Sequence, residues 1–187
     1  IAAGLGADVT IFDTNIARLR FLDDHFQGRV KTAASNPLDL DRAVVASDLV
    51  VGSVLIPGAK APKLVTNEMV SRMRPGSVLV DIAVDQGGCF ADTRPTTHAE
   101  PTYRVHDSLF YCVANMPGAV PVTSTQALTN ATLPYTLRLA DAGWRDALRA
   151  DEALAKGLST HGGTLYSAPV GEALGIESQD VAAALAG

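Results

Sequence analysis

The sequence predicts a doubly wound α/β fold, a mostly parallel sheet with helices on its two faces. Three observations carry this. Strand-like and helix-like segments alternate along the first two thirds of the chain. One segment, Ser77-Val-Leu-Val-Asp-Ile-Ala-Val84, is almost unbroken apolar sequence, the mark of a strand covered on both faces. Of the 187 residues, 47% are apolar and 19% charged, enough for a packed core and too apolar for disorder.

The elements follow in order. Ile1-Ala-Ala-Gly-Leu-Gly6 reads as the last turn of a helix closed by glycines. Asp8 to Asp13 is rich in β-branched residues and reads as a strand. Ile16, Leu19, Leu22 and Phe26 recur at helical spacing, so Asn15 to Phe26 reads as an amphipathic helix. Arg29 to Ala33 is a second short strand, Leu38 to Ala46 a helix, and Asp48 to Leu55 a third strand. Glu68 to Met73 is a helix stopped by Pro75-Gly76. After the apolar run at 77–84, Leu109 to Val113 is the last strand expected. Beyond about Pro121 the pattern turns helical. Leu128, Ala131, Tyr135, Leu139 and Ala142 share one face, and Pro134 inside this run is expected to kink it. Ala147–Leu158 and Val170–Leu174 are weaker helical stretches. This divides the chain into a sheet-forming domain at 1–121 and a helical part at 122–187.

Composition excludes several classes. Fifteen Lys+Arg against twenty Asp+Glu give a net charge of -5, and no basic cluster offers a nucleic-acid surface. Two cysteines, Cys89 and Cys112, are too few for a disulfide framework and read as buried thiols. The four histidines show no metal-ligand spacing. No apolar run reaches the roughly 18 residues of a membrane helix. No signal peptide is visible, so no membrane and a cytoplasmic location are expected.

Candidate chemistry sits at strand ends. Asp13 closes the first strand. A carboxylate there accepts hydrogen bonds from a ribose, or it serves the start of the following helix. Gly4-Leu5-Gly6 precedes a strand, so it is not the phosphate-binding glycine loop, which needs a strand before it and a helix after it. Such a loop is expected upstream of Ile1, because the chain opens mid-pattern and without Met. Asp85-Gln-Gly-Gly88 follows the most apolar strand, where ligands of open α/β sheets bind. Asp85 is there either a proton-transferring carboxylate or a turn-stabilising one. Ser53 to Lys60 and Ala114 to Gly118 are loops of the same kind. Arg94 offers a cation for a phosphate or a carboxylate, or is simply a surface residue.

Together these segments resemble one family. Val9-Thr-Ile-Phe-Asp13, Val54-Leu-Ile-Pro-Gly-Ala-Lys-Ala-Pro-Lys-Leu-Val65, Met73 to Cys89, Arg94-Pro-Thr-Thr97, Cys112-Val-Ala-Asn-Met-Pro117, Ser124 to Tyr135 and Leu154 to His161 resemble the alanine dehydrogenase/nicotinamide nucleotide transhydrogenase family, most closely its bacterial alanine dehydrogenases. The resemblance covers nearly the whole chain and fades after about Val170. It implies an NAD-dependent, reversible oxidative deamination of L-alanine to pyruvate and ammonium. It implies a Rossmann-type NAD-binding domain without its first strand, followed by a return to the substrate domain. Asp13 would bind the adenosine ribose with Arg18 beside it, and Ser35 would meet the adenine end. Val54 and Leu55 would pack along the cofactor. Ile82, Ala83, Val84 and Asp85 would reach the nicotinamide side, with Arg94 nearby. Val113, Ala114, Asn115 and Met116 would close that pocket. Asp85 matches the family's catalytic aspartate. A homo-oligomer, commonly a hexamer, is implied as well.

The family's glycine loop and its catalytic His and Lys precede Ile1 in register, so none has a counterpart here. The 187 residues alone are therefore expected to lack dehydrogenase activity. Two half-sheets without a shared central strand would expose their edges and leave the fold marginal or prone to aggregate. Two other readings stand beside this one. One is the NAD-binding subunit of a nicotinamide nucleotide transhydrogenase; the other is a non-catalytic NAD-binding module.

Overall fold

The computed structural model describes residues 1–186. The parallel strands are β1 (Thr10–Asp13), β2 (Lys31–Ala34), β3 (Leu49–Gly52), β4 (Val78–Asp81) and β6 (Ser108–Tyr111). β5 (Thr102–Val105) runs antiparallel to β6. They form two sheets: β1–β2, and β3–β4–β6–β5. No strand pairing joins the two among the described residues. β3 ends its sheet, and Leu49 and Val51 on it stay about half exposed.

Caps decide where the helices begin. Asn15 starts α1 (Ile16–Phe26) by accepting the Arg18 N–H at 3.0 Å. Asn36 does the same for α2 (Pro37–Ala46), whose first residue is a proline with no N–H to lose. Thr66 caps α3 (Asn67–Ser71) through the Met69 N–H. Gly6, at φ 88°, closes a short 3₁₀ turn at Ala3–Leu5 that contains Gly4.

The core lies in the four-stranded sheet. Leu79 of β4 and Phe110 of β6 are fully buried, with Val65, Val70, Met73, Phe90, Cys89 and Cys112 around them. Phe90 meets Phe110 edge-on at 5.9 Å, and Tyr103 packs on the same ring at 5.4 Å. Both cysteines are buried as expected, and burial pushes both thiols up from their ordinary pKa.

The second part departs from expectation in three ways. α4 spans Pro121–Ala150, but its backbone leaves helical geometry at Gly143 (φ 74°, ψ 160°) and not at Pro134. That φ suits glycine, and Asn130, whose carbonyl loses its usual donor to the proline four residues on, lies on an exposed stretch of helix. On the shared face Leu128 and Tyr135 are exposed, while Leu139 borders a pocket with Leu154 and Leu158. The tail also holds a small hairpin, β7 (Thr160–His161) with β8 (Thr164–Leu165), that periodicity did not announce. It continues with α5 (Glu152–Lys156), α6 (Ala168–Leu174) and α7 (Val181–Leu185). No helix among the described residues is long and apolar enough to cross a membrane.

Candidate functional site

Parallel pairing puts the candidate residues at the carboxyl ends of strands or in the segments that follow them, with Arg18 in the first turn of α1. On the two-stranded sheet, Asp13 and Ser35 adjoin, because the Ser35 N–H donates to the Asp13 carbonyl at 3.0 Å. Asp13 Oδ1 accepts the Asn15 N–H at 2.8 Å. Asn15, not Asp13, is thus the helix cap. Asp13 Oδ2 has no hydrogen bond among the described residues and is left to accept one from outside. Arg18 stands in the first turn of α1 with its guanidinium 5.1 Å from the Phe21 ring centre.

On the four-stranded sheet the ends of β3 and β4 are tied by the Ile82 N–H donating to the Gly52 carbonyl at 2.8 Å. Val54 packs against the core, while Leu55 and Ile82 present apolar side chains to solvent, 64% and 53% exposed. Two exposed aliphatic residues at adjacent strand ends suit a flat apolar ligand surface. Ala83 and Val84 are buried, and Asp85 follows them, exposed, in a 3₁₀ turn at Val84–Gln86.

The chain after this turn dives inward. Cys89 and Phe90 are buried, and Asp81 beneath them accepts the Cys89 N–H at 2.8 Å and the Thr93 hydroxyl. Gly88 has φ 76°, and a Cβ there would lie 2.4 Å from Thr93 Cγ2 and 2.6 Å from Asp81 Oδ2. Only glycine fits this passage.

Arg94 and the loop after β6 form one unit. Arg94 lies 4.0 Å above the Tyr103 ring, and its N–H donates to the Tyr103 hydroxyl at 3.0 Å. Burial raises the Tyr103 pKa above its ordinary value. A bridge pairs Thr96 with Val113, and the Ala114 N–H donates to the Thr96 carbonyl at 3.2 Å. Asn115 sits in the left-handed region at φ 59°, and the His98 Nε2 lies 3.1 Å from its carbonyl. Val113 is buried, whereas Ala114 and Asn115 are exposed and Met116 half-buried.

A cavity of about 360 Å³ opens beside Asp85. Ile56, Lys60, Gln86, Val170 and Leu174 also line it, so α6 from the helical part forms one of its walls. The approach is close: a Cβ on Gly58 would lie 2.7 Å from Pro169 Cβ. Sequence reading had not joined 168–174 to the site, nor assigned parts to Asp81, Tyr103 or His98. Asp81 alone carried a signal, as the one charge inside an apolar strand. No hydrogen bond joins the Asp13–Ser35 group to the Asp85 group among the described residues.

Residues 1–168 match the family model described as alanine dehydrogenase/PNT, C-terminal domain. The alanine dehydrogenase of Mycolicibacterium smegmatis is 62% identical over 186 residues, covering 100% of this chain and 50% of that protein. Its counterpart in Mycobacterium tuberculosis is 60% identical over the same span. A solved L-alanine dehydrogenase superposes with a TM-score of 0.81 at 49% identity, over 93% of this chain and 48% of that one. A transhydrogenase from Sinorhizobium meliloti reaches 0.65 at 25% identity, over 88% and 43%. The chain spans about half the length of the curated relatives it matches. With the family model covering most of the chain and relatives this similar along all of it, the chain belongs to the alanine dehydrogenase/PNT family, as its C-terminal, Rossmann-type domain.

Proposed function

We propose that the protein bearing this chain oxidatively deaminates L-alanine to pyruvate and ammonium with NAD, reversibly, and that this chain supplies the cofactor side of the site. The observation that carries the proposal is Asp85, an exposed carboxylate beyond the buried strand β4 and beside a 360 Å³ cavity, in a chain 62% identical to an alanine dehydrogenase.

The donor set suits NAD. Asp13 keeps one carboxylate oxygen for a ribose hydroxyl, with Ser35 at its side and Arg18 one helical turn away. The negative charge at Asp13 disfavours a 2′-phosphate and so favours NAD over NADP. Val54, Leu55 and Ile82 give an apolar rest, and Ala83 and Val84 set the depth of the nicotinamide side. Val113, Ala114, Asn115 and Met116 border it opposite, with Arg94 stacked on Tyr103 and so limited in swing. When bound, NAD supplies the hydride acceptor. Asp85 stabilises positive charge on the substrate nitrogen and holds a proton during attack of water on the resulting imine carbon. The balance is alanine, NAD⁺ and water giving pyruvate, ammonium, NADH and a proton.

The domain division at 121/122 is part of the proposal: α4 starts at Pro121 and leads into the substrate domain. The exposed apolar residues of α4, including Leu128, Leu133 and Leu137, support a homo-oligomer, with a hexamer as the state proposed. A cytoplasmic location goes with the NAD pool this chemistry draws on.

The test is NADH formation by the complete polypeptide bearing this sequence. Alanine-dependent absorbance growth at 340 nm, strongly slowed but still measurable in Asp85→Asn, is expected. Asp85→Asn with unchanged turnover would remove Asp85 from the mechanism. Hydride exchange between two nucleotides without any response to alanine would favour the transhydrogenase reading, and NAD binding without either reaction the non-catalytic one.

A further inference from the structure

The turn bearing Asp85 is held from two sides. From within, Asp81 uses both carboxylate oxygens. Its Oδ1 accepts the Ala83 N–H at 3.1 Å. Its Oδ2 accepts the Cys89 N–H at 2.8 Å, the Phe90 N–H at 3.4 Å and the Thr93 hydroxyl. Asp81 has no solvent exposure. A buried carboxylate is tolerated only while donors surround it, so the segment from 83 to 93 cannot shift without leaving a charge unpaired. From without, the exposed Lys63 donates its ammonium protons to the carbonyls of Gly87 and Phe90, the latter at 2.9 Å. Backbone pairing runs beside it: the Ala61 N–H donates to the Gln86 carbonyl at 2.9 Å and the Leu64 N–H to the Cys89 carbonyl at 2.7 Å. One charge thus gathers the N–H groups of the loop and the opposite charge gathers its carbonyls. Asp85 is left exposed on the turn between them. Neither Asp81 nor Lys63 lines the cavity beside Asp85.

We infer that Asp81 and Lys63 are positioning residues for Asp85, fixing the 84–86 turn so that its carboxylate meets the reacting substrate. This rests on the role of Asp85 proposed above. Misplacing a reacting group by about 1 Å costs on the order of 100-fold in rate. Asp81→Asn turns one acceptor into a donor that faces N–H groups, and Lys63→Met removes the outer clamp from an exposed position.

The test uses the complete polypeptide, with kcat counted per NADH-binding site so that unfolded protein does not enter. Asp81→Asn and Lys63→Met are each expected to lower kcat about 10- to 100-fold. The Kd for NADH should change by less than kcat does, because the Asp13 end is untouched and only the nicotinamide side borders the 83–86 segment. In the Asp85→Asn background either substitution should lower the residual kcat by less than about threefold, since its effect passes through Asp85. Losses that multiply in the double variants would mean a merely structural role and overturn the inference. So would single variants with parental kcat while Asp85→Asn is impaired, and that result would leave the role of Asp85 standing. Asp85→Asn with unchanged turnover would instead overturn the reading beneath, and the inference with it. Should Asp81→Asn fail to fold, Lys63→Met and its double variant with Asp85→Asn decide the matter.

Discussion

Gly87 and Gly88 offer a paired experiment on the turn after β4. Both have positive φ, 91° and 76°. An alanine at either position pays for that backbone conformation, about 1–2 kcal/mol. Only the second also meets atoms. At Gly87 the nearest atom to a new Cβ is Lys60 Cβ at 3.6 Å, ordinary contact. At Gly88 the Cβ would sit 2.4 Å from Thr93 Cγ2, 2.6 Å from Asp81 Oδ2 and 2.7 Å from Thr93 Cβ. Relief requires moving a fully buried carboxylate and its donors, and overpacking of this kind costs about 1–3 kcal/mol more. Subtracting Gly87→Ala from Gly88→Ala cancels the backbone contribution and leaves the collision. In a domain of this size that difference lowers the melting midpoint by about 2–12 °C, at about 2–4 °C per kcal/mol. The assay is thermal unfolding of both variants of the complete polypeptide, followed by circular dichroism under one set of conditions. Equal midpoints for the two variants would refute the packing assigned to Asp81 and Thr93.

Three further outcomes are expected. Leu79→Ala, at a site with no solvent exposure in the middle of the four-stranded sheet, should destabilise by about 2–5 kcal/mol in denaturant unfolding; a loss under 1 kcal/mol would contradict the burial. Tyr103 is kept protonated by burial, so its folded pKa lies above the unfolded value of about 10. Its contribution is whole below about pH 10 and lost as pH rises through and beyond it, so Tyr103→Phe should flatten the alkaline fall in stability, and an unchanged fall would assign it to other groups. Asp13→Ala should weaken NADH binding about 10- to 150-fold, the worth of about 1.5–3 kcal/mol for a hydrogen bond to a charged acceptor, as read by titration calorimetry; a change under twofold would take the ribose away from Asp13.

Much of this architecture could be read along the chain because its causes are local. β-branched runs made β1 and β3 visible, and apolar spacing placed the starts of α1 and α2 within a residue of Ile16 and Pro37. β5 stayed hidden. Thr102–Val105 is four residues of mixed polarity, and the turn to β6 passes through His106 at φ 51° without the Asn-Gly pair that announces a hairpin. The break in α4 was assigned to Pro134 and lies at Gly143, because an exposed helix lets solvent serve a carbonyl that a proline leaves free. The apolar stripe of α4 was read correctly as periodicity, but periodicity does not say what covers it.

The candidate site divides along the same line. Sequence by itself determined which residues end strands, so pattern and resemblance named Asp13, Val54, Asp85 and Val113 as candidates. Tertiary structure alone decided what holds them. Asp81 collects donors from 83 to 93, Lys63 collects carbonyls 24 and 27 residues away, and α6 arrives from more than 80 residues downstream to line the cavity beside Asp85. Such partners are chosen by burial and charge in three dimensions, where an unpaired carboxylate is costly, and that cost leaves no periodic trace along the chain.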